Sequence, residues 1–389
     1  MSALRIVIIF TTLLNSLIEA EIVYNGSSTA KDDWWKYATF YQIYPRSFKD
    51  SDGDGMGDLN GITSKLQHLV NAGITAAWLS PIFKSPGVDA GYDISDFRDI
   101  DEKFGTMSDF EQLIKTAHEL GLKIILDYVP NHTSDQHVWF QLSKNKTEGY
   151  KDYFIWKKGY NSTAPPNNWL SRFGYSAWEY VAERDEYYYH QFTTAQPDLD
   201  FRNPKVIQEM NDVMTFWLDK GVDGFRIDAV NYLFEISDFR DEPLSDNYEN
   251  YEPYDNRYLK HIYVMDQPES PGMIYQWRKH VDNYKTQNGG DTRVLMTEGY
   301  TDISTTMLYY GNETADGAHF TFNFFFITNT TSRSTANEIA SVIKRWFQYM
   351  PNGRVPNWVV RIIIEIFYSK AIITVLNFIT DSIFKTLTF

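Results

Sequence analysis

Short, nearly uninterrupted apolar runs alternate with longer amphipathic stretches over most of this chain. The runs at 40–44, 76–81 and 123–129 have no polar face, which predicts strands buried on both sides. Between them, 62–71 and 108–120 have helical period. The first ends at Gly73, and the second opens on a Ser108/Asp109 cap and closes at Gly121. Further along, a helix near 205–220 leads into a strand at 224–229, and a helix around 273–284 into a strand at 293–299. Residues 319–326 and 356–360 read as sixth and seventh strands. Buried strands alternating with helices predict a parallel sheet covered by helices. Polar residues gather just past the strand ends: Asp93 follows 76–81, and Asn131 and His132 follow 123–129. Barrels of alternating strand and helix keep their active sites at that end.

The rhythm breaks between 131 and 200, a stretch rich in Trp, Tyr, Asn and Pro. A structureless connection of that length inside a compact domain is improbable, so it reads as a subdomain inserted on a strand-to-helix connection. An acidic, Tyr-rich loop occupies 238–266. The expected organisation is therefore a leader at 21–32, barrel segments at 33–130 and 201–360, the insertion at 131–200, and a tail at 361–389 whose crowded Ile and Phe fit neither period. Residues 1–20 precede the leader. Arg5, an apolar run from Ile6 to Leu14 and Ile18-Glu19-Ala20 predict a secretory signal there, too short to span a bilayer.

Composition narrows the partners. The chain has 389 residues and a formal net charge of −15, which argues against nucleic acid and against anionic membrane surfaces. No uncharged run elsewhere approaches the roughly 20 residues of a membrane helix. Aromatic residues make up 16%, enough both to fill a core and to line a cleft for flat polyhydroxylated ligands. Sequons at Asn25, Asn131, Asn145, Asn161, Asn312 and Asn329 fit an extracellular destination. The absence of cysteine is unusual for that route, yet a chain this long can bury enough surface without disulfides.

Two stretches carry candidate chemistry. In the strand Gly224-Phe225-Arg226-Ile227-Asp228-Ala229, Arg226 and Asp228 share one face while Phe225 and Ile227 share the other. A guanidinium beside a carboxylate keeps it ionised, as a nucleophile requires, although a structural ion pair explains these six residues equally well. The loop Asp50 to Asp58 sets Asp50, Asp52, Asp54 and Asp58 at alternate positions among glycines, with the Met56 carbonyl available between them. Such oxygens suit calcium. The twelfth position is Gly61 where an EF-hand needs Glu, and no flanking helices are evident, so this is not an EF-hand.

Several separated motifs, in order, then resemble one family. Gly91-Tyr92-Asp93, Asp127-Tyr-Val-Pro-Asn131-His132, Gln196-Pro197-Asp198-Leu199-Asp200, Gly224 to Asp228 and Thr297-Glu298 resemble the α-amylase superfamily of glycoside hydrolases. Within it the chain is similar to the secreted maltase-type α-glucosidases of insects, over about 33–360. The resemblance implies a (β/α)8 TIM barrel with domain B inserted after the third strand, and calcium at the Asp50–Asp58 loop. It implies that Asp228 is the nucleophile and Glu298 the acid/base, with Tyr92, Asp93, His132 and Arg226 holding the terminal glucose. The implied activity is retaining hydrolysis of terminal, mainly α-1,4-linked glucose from maltose, sucrose or malto-oligosaccharides; Ala229, small and next to the nucleophile, goes with that linkage. The family's Asn-His-Asp after the seventh strand, its eighth strand and its C-terminal β-domain have no counterpart here: Val360 is followed by Arg361-Ile-Ile-Ile. The expectation is a truncated chain, poor as an enzyme or unstable. The alternative is a non-catalytic relative, either a surface receptor or a transporter subunit. Transporter subunits carry a membrane helix before the barrel and typically lose the catalytic carboxylates, whereas Asp228 and Glu298 are kept here.

Overall fold

The computed structural model describes residues 34–331 and 333–359. The expected signal, leader and tail lie outside them. Six strands form one sheet: β1 (Phe40–Ile43), β2 (Ala76–Leu79), β3 (Lys123–Tyr128), β4 (Gly224–Ile227), β5 (Val294–Thr297) and β6 (Phe320–Thr321). Their spatial order is their chain order, and every neighbouring pair is parallel. Parallel neighbours need crossovers, supplied by α1 (Leu59–Asn71), α2 (Met107–Glu119), α3 (Pro204–Asp219) and α4 (Glu269–Asn288). A fifth helix, α5 (Ala336–Tyr349), follows β6.

Alternation along each strand sorts side chains into two cores. Ile124, Leu126, Phe225, Ile227 and Leu295 pack outward with helix residues such as Ile62, Leu113, Val213 and Trp277. Trp78, Ile125, Val294, Met296 and Phe320 form a separate inner cluster on the concave side. The rings of Phe40 and Phe320, from the first and last strands, meet at 5.3 Å. The sheet is therefore curled far enough for its two outer strands to share a core, as in a barrel wall.

Local chemistry explains the boundaries. Asp58 accepts from the N–H of Gly61 and caps α1, which starts three residues before the expected Ile62. Thr106 and Asp109 form a capping box on α2. The same device, Thr335 with Glu338, opens α5, a helix beyond those expected from the apolar pattern. Two expected strands are corrected. The sixth was expected over 319–326 but pairs only at Phe320–Thr321, because Asn323 Oδ1 accepts from the N–H of Phe325 and turns the chain into a short helix at Phe325–Thr328. The expected seventh strand is irregular over 356–359, and Val360 lies outside the described residues. There the Asn357 side chain donates to Thr321 O at 2.5 Å and accepts from Asn323 N at 3.0 Å. A side-chain latch onto the end of β6 takes the place of a backbone ladder.

Between β3 and α3 the chain builds a three-stranded antiparallel sheet, with Glu186–Tyr189 between Trp156–Lys157 and Trp178–Val181. Trp169, Trp178, Tyr187 and Tyr189 give it a small core of its own.

Candidate active site

The carboxyl ends of β3, β4 and β5 bring three acidic side chains to one guanidinium. Arg226 faces inward from β4, its Cζ 4.9 Å from the Trp78 ring centre, while Phe225 and Ile227 face the helices as the strand period predicts. Nη1 of Arg226 donates to Asp127 Oδ1 at 2.6 Å and to Asp228 Oδ1 at 2.5 Å; Nη2 lies 3.6 Å from Glu298 Oε2. Asp228 and Glu298 each follow the last residue of their strand and stay laddered, Asp228 N–H donating to Tyr128 O and Glu298 N–H to Ile227 O, both at 2.9 Å. One residue past Asp228 the backbone turns sharply. Ala229 sits at φ 49°, ψ 39°, a left-handed conformation that a residue with a Cβ adopts only under constraint, and its N–H donates to Glu298 Oε2 at 3.0 Å.

The carboxylates are electrostatically unequal. Burial raises the Glu298 carboxyl; Arg226 opposes this, and the charge of Asp228 adds to it. Asp127 is raised to about 7 by burial and by Asp228, against the pull of Arg226. Asp127 also accepts from Tyr92 Oη at 3.1 Å and from Trp78 Nε1 at 3.3 Å. Asp127 opens the motif Asp127 to His132, and that motif alone gives it no role. The signal was a charge closing the apolar run Ile124-Ile125-Leu126, where only a paired group is tolerated.

Around this centre the other candidates converge. His132, buried, places Nε2 3.1 Å from Tyr92 O and 3.0 Å from Gln196 Nε2. Burial lowers the pKa of the His132 imidazole. Gln196 also donates to Asp89 Oδ2 at 2.9 Å; burial raises the Asp89 carboxyl. Asp93 is fully buried and accepts from the N–H groups of Val88 and Asp89, so it holds its own loop as well as facing His132 and Asp89. Gln196 and Asp89 were missed as site residues because their neighbours are far apart in sequence.

The acidic loop lies elsewhere. Asp50, Asp52 and Asp58 bring one carboxylate oxygen each within 4.8 Å of one another, which fits a hard cation. Backbone N–H groups of Gly53 and Gly55 hold the Asp50 carboxyl below its usual range. Asp58 is lowered too: burial opposes this, but the N–H groups of Gly61 and Ser51 outweigh it. Asp54 is not in that trio, and its side chain accepts from Met56 N–H at 2.7 Å.

The alpha-amylase catalytic domain family matches residues 42–361. The chain belongs to that family. It is 54% identical over 332 residues to Maltase 1 of Drosophila virilis, covering 84% of this chain and 52% of that protein. It is 49% identical over 360 residues to a salivary alpha-glucosidase of Aedes aegypti, covering 90% of this chain and 60% of the relative. Among solved structures, the alpha-glucosyl transfer enzyme XgtA superposes with a TM-score of 0.74 at 38% identity, over 82% of this chain and 59% of that one. This alpha-amylase family chain thus spans between half and three-fifths of the length of these proteins. Its six-stranded sheet is the corresponding part of a TIM-barrel wall. No helix among the described residues is long and apolar enough to cross a membrane.

Proposed function

We propose that this chain carries the catalytic centre of a retaining α-glucosidase that removes terminal, mainly α-1,4-linked glucose from maltose, sucrose or short malto-oligosaccharides. One observation supports this above the rest: two carboxyls of unequal environment share a single buried guanidinium. Asp228 attacks the anomeric carbon while Glu298 protonates the glycosidic oxygen, releasing the leaving sugar and forming a glycosyl ester. Glu298 then takes a proton from water as the water displaces Asp228 from that carbon. Retention requires the two carboxyls about 5–5.5 Å apart, one ionised and one protonated. Arg226 pairs directly with Asp228, and the raised pKa of Glu298 suits it to carry the proton. Tyr92, Asp93, His132 and Arg226 hold the terminal glucose around this pair. A barrel reused only for partner binding would require neither carboxyl.

The test is release of p-nitrophenol from its α-glucoside. Asp228→Asn should lower kcat by about a thousandfold or more with the fold unchanged by circular dichroism. Equal rates in the native protein and the variant would remove Asp228 from the mechanism.

The Asp50–Asp58 loop binds calcium, with Asp50, Asp52 and Asp58 and the Met56 carbonyl as ligands; the ion neutralises the loop and pins it against α1. Chelation should lower the Tm of the native protein and leave that of Asp50→Asn unmoved. The protein is secreted, in keeping with the salivary relative and the apolar run from Ile6 to Leu14; N-terminal sequencing of material recovered from culture medium should begin near Glu21.

A further inference from the structure

The opposite end of the sheet holds a separate polar hollow. It opens beside the residues that lead into β5 and β6, a full strand away from Glu298, and encloses about 290 Å³. Four basic side chains line it, Lys36, Arg278, Lys285 and Arg354, against the one carboxylate of Asp282. They come from a helical turn ahead of β1 (Trp34–Tyr37), from α4 and from the segment after α5. Like charges gathered from three elements repel one another unless something negative joins them. The arginines are held in place. Arg278 Nε donates to Asp282 Oδ2 at 2.8 Å and its Nη1 to Gly317 O at 3.0 Å, and Arg354 Nη1 lies 2.7 Å from Asp316 Oδ1. These bonds do not use all five N–H groups of either guanidinium. The two arginine side chains are 16% and 23% exposed, whereas Asp282 and Asp316 are 44% and 57% exposed. The cations therefore sit deeper than their acids, and ion pairs so open to water are worth little.

A buried donor faces the same problem. His319 lines the hollow, is 3% exposed, and meets the Trp35 ring edge-on at 5.0 Å. Its Nδ1 accepts the N–H of Leu295 at 3.0 Å, which assigns the ring proton to Nε2. Burial, and then the charges of Arg278, Lys285, Arg354 and Lys36, push its pKa down, so the ring is neutral and Nε2–H is a donor. That nitrogen is buried and has no hydrogen-bond partner among the described residues. Buried donors are rarely left without a group to accept from them. A water meets one N–H and brings no charge to the cations; an oxyanion answers both. A carboxylate carries one negative charge, whereas a phosphate carries nearly two at neutral pH and offers several oxygens to Arg and Lys at once.

We propose that this hollow binds a phosphate group, as inorganic phosphate or on a small phosphomonoester, among Arg278, Arg354, Lys36 and Lys285, with His319 Nε2–H donating to one of its oxygens. Nothing in the site draws on the carboxylates at the far end of the strands, so it stands apart from the glucosidase reading. The test is calorimetry on the native protein with inorganic phosphate and with glycerol 3-phosphate as separate probes, ionic strength being matched with sodium chloride. Saturable one-to-one binding is expected, and the tighter probe names the ligand. At ten times its Kd it should raise Tm by about 2 °C or more. Arg354→Gln and Lys285→Gln should each weaken binding about tenfold, whereas Lys65→Gln, an exposed position on α1, should stay within about twofold. The two site variants lie on different elements, so a folding defect in one leaves the other to decide. No binding of either probe, a Tm that responds alike to phosphate and chloride, or affinities unchanged in both site variants would overturn the proposal.

Discussion

Arg226 can be removed while its bulk is largely kept, as in Arg226→Met. Its side chain is 4% exposed, and its partners Asp127 and Asp228 are 0% and 13% exposed. Deleting the cation leaves these two carboxylates, and Glu298 beside them, facing one another in a place with little water. Removing one member of a buried ion pair costs about 3–5 kcal/mol, and each kcal/mol moves Tm by roughly 2–4 °C in a domain of this order, so a fall of about 6–20 °C is expected near neutral pH. The sign of the pH dependence follows from the orphaned acids. Burial already raises the Asp127 carboxyl to about 7 and raises that of Glu298, and losing the cation raises both further, so the folded state binds more protons than the unfolded one between the unfolded value of about 4 and the raised ones. The variant therefore loses stability as pH rises through that interval, and its deficit against the native protein shrinks as pH falls toward about 5. Adding Asp127→Asn takes away one uncompensated charge and should recover part of the loss, a non-additive result for groups in direct contact. Circular dichroism melts of the three proteins between about pH 5 and 8 measure all of this. A Tm within about 2 °C of native at neutral pH, or a deficit that widens on acidification, would refute an electrostatic role for Arg226.

In Glu298→Gln the alkaline fall of kcat/KM should vanish: the native acid is competent below its raised pKa and fails as pH rises through it, whereas the amide does not titrate. The same variant should lose less activity on p-nitrophenyl glucoside than on maltose, since the phenolate needs little protonation; equal losses would point to a non-acid role. Gly61→Ala should be strongly destabilising, by more than about 2 kcal/mol, because its Cβ would meet Lys49 O at 1.9 Å; Gly73→Ala, at φ +80° in open space, should cost about 1 kcal/mol, and matching melts for the two would contradict this. Expressed through a secretory pathway, the exposed Asn145, Asn161 and Asn312 should be glycosylated, while Asn131, 2% exposed and donating to Asp198 at 2.8 Å, should remain bare on peptide mapping.

Much of the architecture could be read from local pattern. Apolar runs such as Lys123–Tyr128 and helical stretches such as Pro204–Asp219 lie within a residue or two of where their periods put them, because burial on both faces and burial on one stripe leave different spacings. The misses have physical causes. The run at 319–326 is apolar enough for a strand, but Asn323 caps a turn there, and hydrophobicity alone does not report a capping bond. Residues 356–359 bind β6 through the Asn357 side chain, a contact invisible to periodicity.

The site divides the same way. Strand alternation and motif order were sufficient to single out Arg226, Asp228, Glu298 and His132, since two-residue spacing puts Arg226 and Asp228 on one face whatever surrounds them. Which groups meet them was decided by the curl of the sheet. It carries Asp127, 99 positions from Arg226, to 2.6 Å, and brings Gln196 to His132 across 64. The raised pKa of Glu298 belongs to the tertiary structure as well. It depends on desolvation and on the distance to one guanidinium, quantities that exist only once β4 and β5 lie side by side.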